Sequence, residues 1–133
     1  MDTSKTFRLS VSGELTKKPY GGEFTVKTMP TFQDEMDFDA FYADIIGPRP
    51  ENYKPPVMHH NYAFMLAFIR SRTIKAPDWW VNSNFGLGIE KGDLNVITSL
   101  FTLTKDAEAK AEEEVEAEAA AAKKDLKKSQ PKE

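Results

Sequence analysis

No aromatic residue follows Phe101, and that boundary constrains what the chain can fold into. Residues 105–133 are almost wholly Ala, Glu, Lys and Asp, so they hold too little apolar surface to build a core. Residues 1–104 carry 11 Lys/Arg against 12 Asp/Glu, a net of −1, whereas 105–133 carry 7 against 9, a net of −2. The expectation is a globular domain over 1–104 and a charged extension over 105–133. Ala, Glu and Lys are good helix formers, so the extension reads as a solvated helix. Only Val115 and Leu126 are larger apolar residues there, which leaves no heptad stripe for a coiled coil. Its charge is polarised: 105–118 has seven acids and two lysines, and 119–133 has five lysines and two acids. Acid early and base late complements the helix dipole. A disordered end is expected around Ser129-Gln130-Pro131.

Within the first 104 residues, Phe7, Leu9 and Val11 alternate with Arg8, Ser10 and Ser12, the period of a half-buried strand. Phe24, Val26 and Thr28 repeat the pattern. Residues 6–12 and 23–29 therefore read as an antiparallel hairpin, with Gly21-Gly22 in the turn. Two strands alone are marginal, and Arg70–Lys75 reads as a possible third. Thr31 is placed to cap a helix with Asp34 in its first turn. Phe38, Phe41, Tyr42 and Ile45 form its apolar stripe, and Gly47-Pro48 stops it. The prolines at 48, 50, 55 and 56 make 47–56 an extended linker. A second helix is expected from Val57 to about Ala67. Asp78 is expected to cap a short helical turn, residues 84–92 to form a loop, and Asp93 to cap a helix containing Leu94, Ile97, Leu100, Phe101 and Leu103. The fold class is α+β: a small antiparallel sheet packed by two or three helices, with a charged C-terminal helical extension.

Trp79 and Trp80 are adjacent in a polar, turn-rich segment, and neighbours on a regular element face different directions. One is expected to anchor the fold. Two roles are open to the pair: covering the sheet edge to close the core, or anchoring a partner, since Trp buries much area and keeps one donor. Asp78, Trp79, Trp80 and Phe85 are thus the candidate partner-binding residues.

Other motifs point to no catalysis. His59-His60 are adjacent, whereas two metal ligands on one helix face need a spacing of three or four. The acidic run from Asp34 to Asp39 lacks the central glycine and terminal glutamate of a calcium loop. Gly86-Leu87-Gly88 lacks the context of a phosphate loop and reads as a turn. The absence of cysteine removes disulfides, thiol catalysis and thiolate-held zinc. No catalytic residue, cofactor or metal is expected. Met1–Lys5 lacks the basic start and apolar core of a signal peptide. The longest apolar stretch, Tyr62–Ile69, is too short to span a bilayer. Arg70 and Arg72 beside the tryptophans sketch a single-strand nucleic-acid platform. The net charge of −3 opposes it, because such binding rests on a surplus of cations.

The opening Lys5–Gly13 with Gly22–Lys27, then Arg72–Trp80 leading to Ser83–Leu87, then Asn95-Val96-Ile97 ahead of an Ala/Glu tail, together resemble small assembly proteins of tailed bacteriophages. The nearest analogues are tail assembly chaperones, and the likeness covers about the first 115 residues. It implies a non-enzymatic role in virion morphogenesis, in the host cytoplasm, with a phage structural protein such as the tape-measure protein, or a second copy, as partner. It also implies that a longer frameshifted product is possible, with slippery codons encoding the lysine pairs at 123–124 and 127–128. Such chaperones are often mostly helical, whereas here a hairpin opens the chain. The alternatives are a structural subunit retained in the virion (tail, connector or head accessory) and a single-stranded nucleic-acid-binding accessory protein.

Overall fold

The structure, a computed structural model, describes residues 3–129, with side chains as far as Lys124. Strands β1 (Ser4–Ser12), β2 (Pro19–Lys27) and β3 (Thr73–Lys75) form one antiparallel sheet in the order β1-β2-β3. Helices α1 (Phe32–Ile46), α2 (Val57–Arg72), α3 (Asp78–Asn82) and α4 (Leu94–Ser129) complete an α+β architecture. A single 3-10 turn, Lys91–Asp93, leads into α4. No helix among the described residues is long and apolar enough to cross a membrane.

The hairpin forms where alternation predicts it, with Phe7 opposite Phe24 and their rings stacked at 5.7 Å. Leu9, Phe24 and Val26 are buried. Their neighbours Arg8, Ser10 and Glu23 are exposed, as a sheet with one solvated face requires. The second strand starts earlier than 23, at Pro19, so Gly21 and Gly22 lie inside β2 and the turn is Gly13–Lys18. Gly22 is required there for a different reason: its φ is 128°, and a Cβ would stand 2.5 Å from Pro77 Cγ.

The hairpin turn is held by Asp93, 77 and 78 residues further along the chain than its partners Thr16 and Leu15. Its carboxylate accepts the backbone N–H groups of Leu15 (2.9 Å) and Thr16 (3.0 Å) and the Thr16 hydroxyl. Asp93 therefore serves another segment, rather than capping the helix that follows it. Asn95 adds two bonds, accepting from the Glu14 N–H and donating to the Ser12 carbonyl.

Thr31 caps α1 as expected, and Asp34 answers it in a reciprocal capping box. Asp34 also accepts from Lys27 at 2.7 Å, tying helix to strand. The second helix, by contrast, does not give way to a strand near Phe68. It continues to Arg72, so the third strand is only Thr73–Lys75. Its last turn is closed by the Ser71 and Thr73 hydroxyls, which donate to the carbonyls of Phe68 and Ile69. The buried Arg72 bonds Glu35 of α1 at 2.9 Å and lies 3.9 Å from Glu108 of α4. A charge removed from water needs such partners, and the helical conformation delivers it to them.

The core is formed by Leu9, Phe24, Leu66, Ile69, Trp80, Val96, Ile97 and Leu100. Helix α4 runs unbroken through residue 104 and stays packed beyond it, with Ala107 and Ala111 buried and Lys5 bonded to Glu114 at 2.7 Å. Small residues allow this close approach without a large apolar stripe. From Glu116 to Lys124 the described side chains are exposed. The disordered end expected at Ser129-Gln130-Pro131 falls outside the described residues, except that Ser129 is the last residue of α4.

These carboxylates set the acid behaviour. The Thr16 hydroxyl, helped by the Thr16 and Leu15 N–H groups and Lys18, outweighs burial and holds Asp93 below the ordinary aspartate pKa. Burial opposes ionisation of Asp34, but Lys27 and Thr31 overcome it and lower its pKa too. Both groups therefore add stability above the unfolded aspartate value, and this is lost as pH falls below about 4. Glu108 acts in the opposite sense: burial raises its pKa above the usual value despite Arg72 and Lys105, so its protonation relieves a cost as pH falls. Urea unfolding midpoints should decline below about pH 4, and Asp93→Asn should lower the neutral midpoint and flatten that decline. Parallel acid limbs for the two proteins would remove Asp93 from the account.

Candidate functional site

The short helix α3 separates the two tryptophans as adjacency predicts, with their rings 6.2 Å apart at 88°. Trp80 is 1 % exposed and is the largest fully buried side chain. It is a core residue, so in this conformation it presents no surface to a partner. Trp79 is half-buried; its indole N–H donates to the Gly21 carbonyl at 2.8 Å, and its ring meets Tyr20 and Phe24 edge-on. Its donor is thus committed to the sheet. Asp78 is exposed but does not cap α3: the cap position is Pro77, and no side chain bonds to that end. Phe85 is half-buried, with the Arg70 guanidinium 4.0 Å from its ring centre and 4.1 Å from that of Phe41. The four predicted residues do not converge on a single exposed patch.

Arg70 and Arg72 lie on α2, not alternating on a strand, and Arg72 is buried. Arg72 is paired with Glu35 and is not free to meet a phosphate chain, while Arg70 lies against the rings of Phe41 and Phe85. His60 is bonded to the Tyr42 hydroxyl at 2.8 Å. Among the described residues, no group of three His, Cys, Asp or Glu side chains is placed to hold a metal ion.

An apolar cleft of about 290 Å³ opens beside this cluster, between α2, residues 86–91 and the first turns of α4. Met58, Tyr62, Leu87, Ile89 and Leu94 line it, with His59, Glu90 and Lys91 as the polar groups. Met58 and Leu87 are about half exposed. The cleft wall depends on a strained turn in which Asn84 (φ 54°), Phe85 (φ 55°) and Gly86 (φ 91°) are consecutively left-handed. Ser83 holds it: its hydroxyl accepts from the Gly86 N–H at 3.1 Å and its carbonyl from the Gly88 N–H at 2.7 Å. Gly86 lies so close to Leu66, Trp80 and Ile97 that Trp80 braces the cleft from behind.

The sequence pattern of the second helix alone gives no sign of this cleft. The available signal was Met58 and Tyr62 at helical spacing with Leu87 and Ile89 among glycines. Nothing local indicates that the two segments face each other across a gap. No protein-family model, curated protein or solved structure matches this chain.

Proposed function

We propose that this protein is a non-enzymatic binding module of tailed-phage virion assembly, acting in the manner of a tail assembly chaperone. The likeness of residues 5–115 to that class supplies the setting. The single observation that carries the binding role is the open apolar cleft with Met58 and Leu87 at its mouth. Concave, mostly apolar clefts with a few polar groups are where ligand and partner groups bind, and methionine adapts to irregular partners. The cleft accepts a small cluster of apolar side chains from a helical or extended segment of a structural protein such as the tape-measure protein. Trp80 and Phe85 serve by supporting the cleft wall.

The chain has no cysteine, so Leu87→Cys creates a unique attachment point for a photo-crosslinker. The expected product in an assembling lysate is an adduct with a virion structural protein, identified by mass spectrometry, while the binding module itself is absent from purified particles. Leu87→Asp should lower binding about tenfold or more by placing a charge in the apolar contact. Retained binding in that variant would dissociate the cleft from the function.

A second reading, a permanent virion subunit, is favoured by the outer edge of β1, which no strand among the described residues pairs. Thr3–Thr28 and Gly13–Lys18 are backbone-bonded in the register of the whole ladder, so odd-numbered residues bond β2. Ser4, Thr6, Arg8 and Ser10 consequently turn their N–H and C=O groups outward, where a neighbouring strand could pair. Regular copy number in purified particles would select this reading over the chaperone.

A further inference from the structure

Helix α1 has a second apolar side that nothing in the described molecule covers. Phe32 is 92 % exposed and Met36 65 %. With Ala40 and Ala43, also exposed, they fall at i, i+4, i+8 and i+11, one line along the helix. The opposite side is the one that packs: Phe38 meets the Phe64 ring at 5.2 Å, and Tyr42 bonds His60. The free stripe is bordered by acids. At about 100° per residue, Glu35 and Asp39 lie along one margin, and Asp37 and Asp44 along the other. The whole helix carries five acids and no base.

The complementary charge exists within this same chain. Residues 119–133 hold five lysines against two acids, and Ala119–Ala122 precede them. Lys123 and Lys124 are exposed on α4, beyond its last packed turn. We infer that the outer face of α1 receives the basic end of α4 from a second copy of this protein.

The geometry excludes the same exchange within one chain. Glu35 reaches Arg72, Phe38 meets Phe64, and Tyr42 meets His60, so α1 runs antiparallel to α2. Phe64 touches Phe101 while Arg72 lies beside Glu108, so α2 runs alongside α4 in the same direction. Helix α1 therefore leads away from the basic end of its own α4. As far as Ser129 that end stays helical, projecting about 20 Å past Glu116 at 1.5 Å per residue. A helix pointing away from its own α1 offers Lys123 and Lys124 to a neighbour. The short Ala run lets its backbone come close to Phe32 and Met36, and Lys123 and Lys124 meet the carboxylate margins. A reciprocal exchange closes a dimer, and a one-way exchange propagates a chain of copies.

Sedimentation velocity of the full chain at low ionic strength, about 50 mM salt, tests this, since exposed charges are screened as salt rises. The expected result is concentration-dependent self-association that salt weakens. Asp39→Lys with Asp44→Lys, and separately Lys123→Glu with Lys124→Glu, should each weaken it at least about tenfold. Mixing the two proteins should restore association, because the unaltered acidic face of one then meets the unaltered basic end of the other. The lysine variant alters only the projecting rod, so its folding is not at risk. A wild-type protein that stays monomeric overturns the inference. So does association that either double variant leaves unchanged, or a mixture that does not recover.

Discussion

Trp80→Ala should destabilise the protein by about 3–5 kcal/mol, the range for deleting a large aromatic side chain from a packed core. The residue is 1 % exposed and joins Phe24, Trp79 and Phe85 in edge-to-face contacts. Removing the indole leaves a void bounded by the sheet, α3 and Gly86, and the strained turn at 84–86 would lose its backing. For a domain whose entire stability is of order 5–15 kcal/mol, this is close to unfolding. Trp79→Phe should cost far less, about 1 kcal/mol, chiefly through the lost bond to Gly21. Urea denaturation of both variants checks the pair, and equal costs would contradict the burial difference. Trp80→Phe offers a folded protein in which cleft binding can still be measured.

Gly86→Ala should cost about 2–4 kcal/mol, combining left-handed strain with overpacking. Its φ is 91°, and an added Cβ would stand 2.6 Å from Leu66 Cδ2, 2.8 Å from Trp80 Cζ3 and 3.1 Å from Ile97 Cδ1. The leucine tip can turn aside, but the indole is enclosed and cannot. Relief therefore requires the 84–88 segment to move outward, which widens the cleft between Leu87 and Met58. Gly86→Ala should thus lower both the thermal midpoint and partner affinity. A variant with wild-type stability would show that this turn adapts freely, and the strain argument would fail.

Much of the architecture was legible because it depends on neighbours in sequence. Alternation at Phe7, Leu9 and Val11 specifies a half-buried strand whatever covers it. The stripe Phe38, Phe41, Tyr42 and Ile45, with Thr31 as cap and Asp34 in the first turn, likewise defines α1 from its own residues. The glycines of β2 and the end of α2 were not legible, because each is decided by a distant group. Pro77 claims the space over Gly22, and Glu35 and Glu108 draw Arg72 into a helix.

The candidate site divides in the same way. By itself the sequence determined that two adjacent tryptophans must diverge, that residues 105–133 lack the bulk for a core, and that their charge is polarised. Those properties follow from chain geometry and composition, which no packing arrangement can change. Only the tertiary structure decided that Trp80 is the buried member, that Asp93 serves the hairpin rather than its own helix, and that Met58 faces Leu87 across an open cleft. Each of these depends on which surfaces meet, and contacts between residues far apart in the chain leave no periodic trace in the local sequence.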